Sequence, residues 1–598
     1  MGTIIIGAGP AGLTAAYELA KSEKTATIIE ADTQVGGLSQ TVSYRGYRFD
    51  IGGHRFFSNV ACINRLWREI LGDDLLVRSR LSRIHYNGRF FDYPLRATNA
   101  LKGLGVREAA RIGLSYAKAK ASPSVSEHSL EQWVSNRFGT RLYEIFFKTY
   151  TEKVWGMPCS EISADWAAQR IRNLSLAEAL RNIVSAKGTS RAGSVIPTLI
   201  EQFLYPRLGP GMMWERCRDV VAERGSTTLC DTRVTRIKHV DKRITHVVTE
   251  HGGETSELAA DHVVSSMPLR ELVLGLDPAA PEAVRQAAAA LRYRDYFTAV
   301  LIVQREHVFP DNWIYIHTPT VLMGRIQNYK NWSPDMVPDP DTTSLGLEYF
   351  LSDSDPMWSQ PDEELIAFAL DECVQLGFVN REDVVDGTIV RMPKAYPVYD
   401  HSYTQNVAII RDYLAGFENL QTIGRNGLHR YNNQDHSMLT GVYAARNIMG
   451  ATHDVWSVNV DGGYHEQPLS TADDVWADTL SIDPWLARKL KLTFSRLDAV
   501  AAGVAAGIVS GLGLFVATAV LLLRGGEPVG PMLSLLGHYM PGYRLTWLGA
   551  FVGMAEVALL VFVLAYALAR TRNVLVQGYL RHIRKRMEAR LSQEVLDQ

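Results

Sequence analysis

The chain has 598 residues, with 62 Lys and Arg against 64 Asp and Glu, for a formal net charge of −2. This length exceeds what one hydrophobic core usually supports, and the balanced charge argues against a nucleic-acid binder, which would carry a basic excess. Five scattered cysteines (Cys62, Cys159, Cys217, Cys230 and Cys373) contain no C-x-x-C, which argues against a disulfide framework or a zinc site and fits a reducing compartment.

The opening "GTIIIGAG" lacks a basic stretch and runs straight into glycines, so it reads as a strand rather than a secretory leader. "GAGPAG" then opens a helix through "LTAAYELAKS", and "TATIIE" gives a second strand ending at Glu30. Gly7, Gly9 and Gly12 stand in G-x-G-x-x-G register, with Pro10 and Ala11 between the last two. The first glycine permits the tight turn, the second lets a pyrophosphate approach the backbone, and the third lets helix and strand pack closely. The positive end of the helix favours phosphates, and Glu30 is placed to accept ribose hydroxyls. Residues 1–57 are therefore expected to form a dinucleotide-binding βαβ segment. The next turn carries Gly36, Gly37, Leu38 and Ser39 and looks like the second glycine turn of oxidase-type flavoproteins, which favours FAD over NAD.

"DIGGHRFFS" at 50–58 follows. Gly52 and Gly53 strip the backbone of side chains where a flavin edge would clash with a Cβ, and His54 then falls within reach of the ring. Residues 58–195 are expected to be a mainly helical substrate insert. Residues 196–284 return to the FAD domain through hairpin strands that include Val234, and the Gly209–Gly211 turn is expected to approach the flavin. Residues 285–400 form a mixed α/β substrate insert. Residues 401–464 complete the FAD domain: a strand ends in Gly424 and Arg425, and a helix starts among Asn433, Gln434, Asp435, Ser437 and Met438, capped by Asp435 and His436. The fold class is α/β, an FAD-binding Rossmann-type fold with inserted substrate segments. The remaining histidines lack metal-ligand spacing, so no metal is expected.

Residues 465–495 read as a polar linker. Two apolar runs, 499–523 and 546–569, each exceed the roughly 20 residues that cross a bilayer, and define a hairpin over 496–572 followed by a basic tail, 573–598. Basic residues flank both outer ends, among them Arg488, Lys489, Arg570 and Arg572, whereas the connecting loop carries only Arg524 and Arg544. The positive-inside rule then predicts a two-pass protein of the cell (inner) membrane, with its large N-terminal body and its C-terminus cytoplasmic.

The motifs "GGHRFFS", "FDYPLRATN", "YTEKVWGMPCSEISADWAAQRI", "NWIYIHTPTVLMGRIQNYKNWSP", "KAYPVYD" and "HRYNNQDHSM" run in an order and spacing that resembles the UDP-galactopyranose mutases, through most of residues 1–450. The resemblance implies a glycine-glycine-histidine loop, here with His54, lying against a flavin that is active when reduced, its N5 attacking the anomeric carbon of the sugar. It implies diphosphate-binding arginines at Arg170, in a W-x-x-x-R segment with Trp166, and at Arg325, with Tyr315, Tyr396 and Tyr431 around the phosphates. Further substrate contacts implied are Phe56, Tyr93, Arg96, Trp155 and Tyr329. A sugar nucleotide or polyprenyl-linked sugar is the implied substrate, with NAD(P)H or a reductase as electron source. Guanidinium forks binding a departing pyrophosphate, with phenols donating further hydrogen bonds, suit that chemistry. This chain departs from the family at Arg96, where glutamine is usual, at Thr151, where asparagine is usual, and in a shorter "HRYNNQDH" loop. All three departures lie where the nucleotide or sugar would be read. The same fold hosts net-redox flavoenzymes of the amine oxidase, protoporphyrinogen oxidase and isoprenoid desaturase types, and a non-enzymatic FAD scaffold is a third alternative. Arg170 and Arg325 discriminate, because an apolar substrate requires no pair of cations.

Overall fold

The β-branched run Gly2–Ile6 forms the middle of a parallel sheet, with Ile4, Ile5 and Ile6 all buried. It pairs with Ala26–Ile29 on one side and with the second half of Glu254–Ser265 on the other. Thr227–Leu229 continues the sheet beyond Ala26–Ile29, and Leu420–Thr422 beyond Glu254–Ser265. Both faces are covered, which is why these strands read as continuous apolar runs rather than alternating ones. An antiparallel meander, Arg233–Val240, Arg243–His251 and the first half of Glu254–Ser265, extends from the same sheet.

This computed structural model describes residues 2–58, 60–93, 99, 103–123, 127–164, 202–459, 498–525 and 531–596, the last helix in side-chain detail to residue 576. The chain divides into two compact units, Met1–Ser470 and Thr471–Gln598. In the first unit the helices Pro10–Lys21 and Gln434–Ile448 pack on each other at close range: a Cβ at Gly441 would fall 2.2 Å from the Ala11 carbonyl oxygen. Gly12 has the role expected of it, since a Cβ there would fall 1.9 Å from the Gly7 carbonyl oxygen.

A second sheet of seven strands runs in the order Val384–Pro397, Tyr293–Val303, Thr343–Leu351, Arg325–Asn328, Trp313–Ile316, Ser82–Tyr86, Arg89–Asp92. Its register places Ile84, Tyr315, Arg325, Glu348, Thr298 and Val390 in one row across six strands. Residues paired in register point to the same face, so this row presents one continuous surface.

The stretch expected to be a mainly helical insert is corrected in part. Ser82–Tyr86 and Arg89–Asp92 are strands of the second sheet, and Leu75–Ser79 pairs with Gln202–Pro206. Ile84 and Phe91, paired across that hairpin, bury one face and make the segment a sheet edge. Helices follow at Val106–Ala121, Leu130–Phe138, Thr140–Tyr143 and Thr149–Trp155, the last two joined through a π-helical turn, Glu144–Lys148. The segments read as separate inserts belong with the FAD-domain segments to one compact unit. The 465–495 linker lies outside the described residues.

In the second unit, Ala499–Arg524 and the first part of Trp547–Leu596 are long and apolar enough to cross a membrane, with mean hydropathy of 2.3 and 2.4. They pack through a glycine stripe: Cβ atoms at Gly507 and Gly511 would fall 2.5 Å from the Ala558 oxygen and 2.7 Å from the Met554 oxygen. Small residues four apart let two apolar helices approach backbone to backbone. Glu556 turns to the connecting loop, where its Oε1 accepts the Gly542 N–H at 3.3 Å. The basic tail is not separate, because the second helix runs unbroken to Leu596.

A Gly12→Ala substitution places a methyl inside contact distance of backbone that cannot rotate away. Overpacking of this kind costs on the order of 1–3 kcal/mol, so the variant is expected to show a lower Tm and to lose bound flavin on gel filtration.

Candidate active site

One cavity of about 1190 Å³ lies where the first sheet's strand ends meet the face of the second. Its volume exceeds that of an ordinary small-molecule pocket, leaving room for a dinucleotide and a substrate together.

At the first-sheet end the walls are Gly7, Gly9, Pro10, Ala11, Glu30, Gly37, Leu38, Ser39 and Val234, with Gly424, Arg425, Asn433, Gln434, Asp435 and Ser437 from the later segment. The opening helix has proline in its first turn, and its N-cap, Gly9, offers no side-chain cap, so backbone N–H groups of that turn remain for a phosphate. Glu30 closes the adjacent strand; its Oε2 accepts the Ala8 N–H at 2.6 Å and its Oε1 the Asp32 N–H at 2.9 Å. Burial pushes its carboxyl above the ordinary range, against the pull of those N–H donors. Both polar atoms of the Gln434 amide, and Gln40 Oε1, are buried without a hydrogen-bond partner among the described residues. Unpartnered amide groups on a cavity wall, beside an open helix end and a strand-end carboxylate, are the donor and acceptor set a dinucleotide satisfies. His436 Nδ1 accepts the Asn433 N–H at 3.3 Å, so it caps the Gln434–Ile448 helix as expected.

The glycine-histidine loop has a double constraint. Gly52 has φ +84°, and a Cβ on it would lie 3.1 Å from the Tyr296 hydroxyl and 3.8 Å from Arg325 Nη2. A Cβ on Gly53 would lie 3.5 Å from Gln327 Oε1. The bare backbone therefore answers to the second sheet as well as to the cavity it lines. His54 lines the cavity too, and its buried Nδ1 has no hydrogen-bond partner among the described residues. Burial, reinforced by Arg425 and Arg325, pushes its imidazole down to about 3, so the ring is neutral near pH 7.

At the second-sheet end, Arg325 Nε and Nη2 donate to Glu348 Oε2 at 2.8 and 2.5 Å. Gln327 Nε2 donates to the other carboxylate oxygen, so Glu348, fully buried, is held from both sides. Nη1 of Arg325 takes no part in these bonds. Four tyrosines surround the guanidinium's side of the cavity: Tyr150 meets Tyr315 edge-to-face at 5.3 Å, and Tyr396 stacks on Tyr431 at 5.5 Å. Burial pushes the Tyr150 and Tyr396 hydroxyls up, so both remain protonated donors at neutral pH. Arg425 lies over the Tyr431 ring at 4.6 Å, and its Nε and Nη1 donate to the Asn432 and Ala395 oxygens at 2.9 and 3.1 Å. Lys153 Nζ donates to the carbonyls of Ile316, Thr318 and Met323 at 3.1, 2.8 and 3.0 Å, fixing the helix of Tyr150 to the strand of Tyr315.

Phe56, Tyr93, Trp155 and Thr151 line the same cavity. Four expected contacts are corrected. Tyr329 is fully buried with its hydroxyl donating to the Asp50 carbonyl, because Gly346 on the neighbouring strand leaves room for its ring. Met438 is buried in the core, where its sulfur accepts the Trp67 indole N–H at 3.1 Å. The Gly209–Gly211 turn also packs away from the cavity: a Cβ on Gly209 would fall 2.3 Å from Thr41 Oγ1. Gly36, at φ +111°, turns the chain and donates its N–H to the Ala8 oxygen without lining the cavity. Arg96, Trp166 and Arg170 lie outside the described residues. Sequence reasoning missed Glu348, Lys153 and Tyr150. A carboxylate inside the otherwise apolar "SLGLEYFL" was the available signal for the first.

Residues 10–449 match the family model described as flavin containing amine oxidoreductase. The chain belongs to this family. Its cofactor is FAD, and the glycine turns, Glu30 and Gln434 are lining groups that could hold it. Among solved structures, this flavoprotein is similar to a reduced UDP-galactopyranose mutase, with TM-score 0.67 and 21% identity over 78% of this chain and 98% of that one. It is also similar to a putative protoporphyrinogen oxidase from Exiguobacterium, with TM-score 0.57 and 19% identity over 75% and 98%. Among curated proteins, a phytoene dehydrogenase of Streptomyces griseus is 23% identical over 48% of this chain and 59% of its own length. A probable UDP-galactopyranose mutase of Klebsiella pneumoniae is 26% identical over 27% of this chain and 42% of its own length. The match thus spans less than two thirds of either curated relative.

His54, His317 and His429 are pushed down to about 3, 3 and 4, chiefly by burial. An unfolded histidine takes up its proton near pH 6.5. Between that pH and about 3 the unfolded chain holds more protons, so stability falls as pH falls. Chemical-denaturation midpoints measured from pH 7 to 4 should decline, and His54→Gln should make the decline shallower.

Proposed function

We propose that this flavoprotein is a membrane-anchored, FAD-dependent isomerase of mutase type, acting on a sugar activated by a phosphate leaving group. The observation that carries the reading is Arg325, a cation in the cavity wall, paired beside Tyr315 in the sheet and close enough to Tyr150 and Tyr396 to act on their hydroxyls. The order and spacing of the motifs that resemble the mutases support it. When bound, FAD supplies a ring that accepts hydride or, once reduced, offers a nucleophilic nitrogen.

The chain's own residues have separate tasks. Glu348 orients the Arg325 guanidinium so that Nη1 is left for a phosphate oxygen. Tyr150 and Tyr396, held protonated, donate to the same phosphate as its charge develops on departure. Holding the departing phosphate next to the sugar keeps it available for return. Arg170 supplies the second guanidinium in this reading. The two apolar helices anchor the enzyme, with the basic flanks and the catalytic unit on the cytoplasmic side, and NAD(P)H or a reductase partner delivers electrons.

A second reading is a net-redox enzyme acting on an apolar substrate. It is favoured by Glu348, which neutralises the Arg325 charge, and by the apolar cavity residues Phe138, Leu142 and Phe147. The two separate cleanly when the purified full chain, with FAD and in detergent, receives UDP-galactose or a lipid-linked sugar phosphate. Ring isomerisation seen by NMR only after dithionite reduction supports the mutase reading; steady oxygen or quinone uptake with an apolar substrate, and no isomerised sugar, defeats it. Arg325→Gln removes charge-assisted hydrogen bonds of about 1.5–3 kcal/mol. Sugar-phosphate binding should therefore weaken on the order of 10- to 100-fold in calorimetry, while the visible flavin spectrum stays unchanged.

A further inference from the structure

We infer that the substrate's phosphate is carried by a prenyl-type apolar chain, bound along a wall running from Phe138 to Tyr150, rather than by a nucleotide. The inference rests on the reading that Arg325 receives a phosphate.

Both walls of the cavity change character in the same direction. Across the second sheet the row runs Ile84, Tyr315, Arg325: an apolar side chain, a phenol, a cation, on three adjacent strands. Strand spacing puts Ile84 about 10 Å from Arg325 along the row. Along the facing helical stretch the cavity side runs Phe138, Leu142, Phe146 and Phe147, and then Tyr150. Tyr150 closes on Tyr315 and stacks on His317 at 5.1 Å, so the polar ends of both walls coincide. Ile84 and Phe146 share one hydrophobic cluster, so the apolar ends coincide as well.

The stretch contains the π-helical turn Glu144–Lys148. Positions 142, 146, 147 and 150 fall on one face at helical spacing, so Phe146 and Phe147 both reach the cavity and the stripe continues to Tyr150. The charged residues of the same turn, Glu144 and Lys148, are exposed and off the cavity.

A nucleobase must be read by hydrogen bonds at its edge, and leaving its polar atoms unmatched carries a large penalty. None of Ile84, Phe138, Leu142, Phe146 or Phe147 has a polar side-chain atom to offer. An isoprenoid chain asks only for apolar area. In the membrane-anchored reading, the two membrane-length helices of the second unit put the enzyme where such chains dissolve.

The test uses the full-length holoprotein in detergent and prenyl monophosphates of five, ten and fifteen carbons, each below its micelle concentration, with flavin fluorescence as the readout. Affinity should rise at least about tenfold for each added isoprene unit, well within the area gained. Leu142→Gln and Phe147→Gln, each checked for wild-type flavin content, should weaken the fifteen-carbon ligand about tenfold and leave the five-carbon ligand unchanged. Arg325→Gln should weaken all three. Affinity independent of chain length overturns the inference, as does UDP-galactose binding that weakens with Leu142→Gln as much as the long prenyl phosphate does. Failure of the phosphate reading looks different: chain-length dependence persists, but the prenyl alcohols bind as tightly as the phosphates and Arg325→Gln has no effect.

Discussion

The cavity is organised around one buried acid. Glu348 has no exposure to water, and its carboxylate is matched by the Arg325 guanidinium on one side and the Gln327 amide on the other. A buried ion pair is held at a desolvation cost that only good geometry and complete hydrogen bonding offset. Here the geometry comes from sheet register, which sets Tyr315, Arg325 and Glu348 on adjacent strands at one level. A slip of one residue would turn Arg325 to the opposite face and leave Glu348 alone. The same register presses the Gly52–Gly53 backbone against Tyr296 and Gln327, so the histidine loop is positioned by the ion-pair sheet rather than by its own turn.

What could be read from the sequence was what is local. The G-x-G-x-x-G turn, Glu30 at the strand end and the capped helix after Asn433 are set by neighbours within one βα unit, and each residue type has a backbone reason to be there. The cavity residues from distant segments could be named because their motifs keep a recognisable order, not because any spacing brings them together. Orientation after a turn could not be read. Tyr329 follows Arg325 by four residues and reads as part of the same site, yet the chain turns after Asn328, and Gly346 opens a slot that takes its ring into the core. Met438 sits one residue after a cavity-lining serine, but on a helix that step rotates it onto Trp67. The strands at 75–92 are hard to read locally, because Leu75–Ser79 pairs with Gln202–Pro206 and the Ser82–Asp92 hairpin joins its sheet through Trp313–Ile316, and a short run with one buried face is ambiguous without such partners.

The family makes the two ends of the cavity independent. The dinucleotide cradle is built from the first sheet and two helix ends, and carries no information about the reaction. Similarity of comparable kind to a mutase and to a protoporphyrinogen oxidase follows directly, since both are matched through the shared fold. The chemistry is specified by what the second sheet offers. There, a guanidinium partly spent on a carboxylate lies between phenols and an apolar wall, an arrangement suited to a ligand that is anionic at one end and greasy at the other.

His54 links the two ends. Burial is the main reason its ring stays neutral, but Arg425 from the first-sheet end and Arg325 from the second-sheet end add to it. An anion arriving at Arg325 offsets part of that positive field, and so eases protonation of an imidazole that lines the same cavity as the flavin-binding turns. The ring's electrostatics thus depend on occupancy at the far end without any movement of the backbone. The close approach of Gly52 and Gly53 to Tyr296 and Gln327 sets the loop against the same sheet that carries Arg325, which keeps the imidazole within that field.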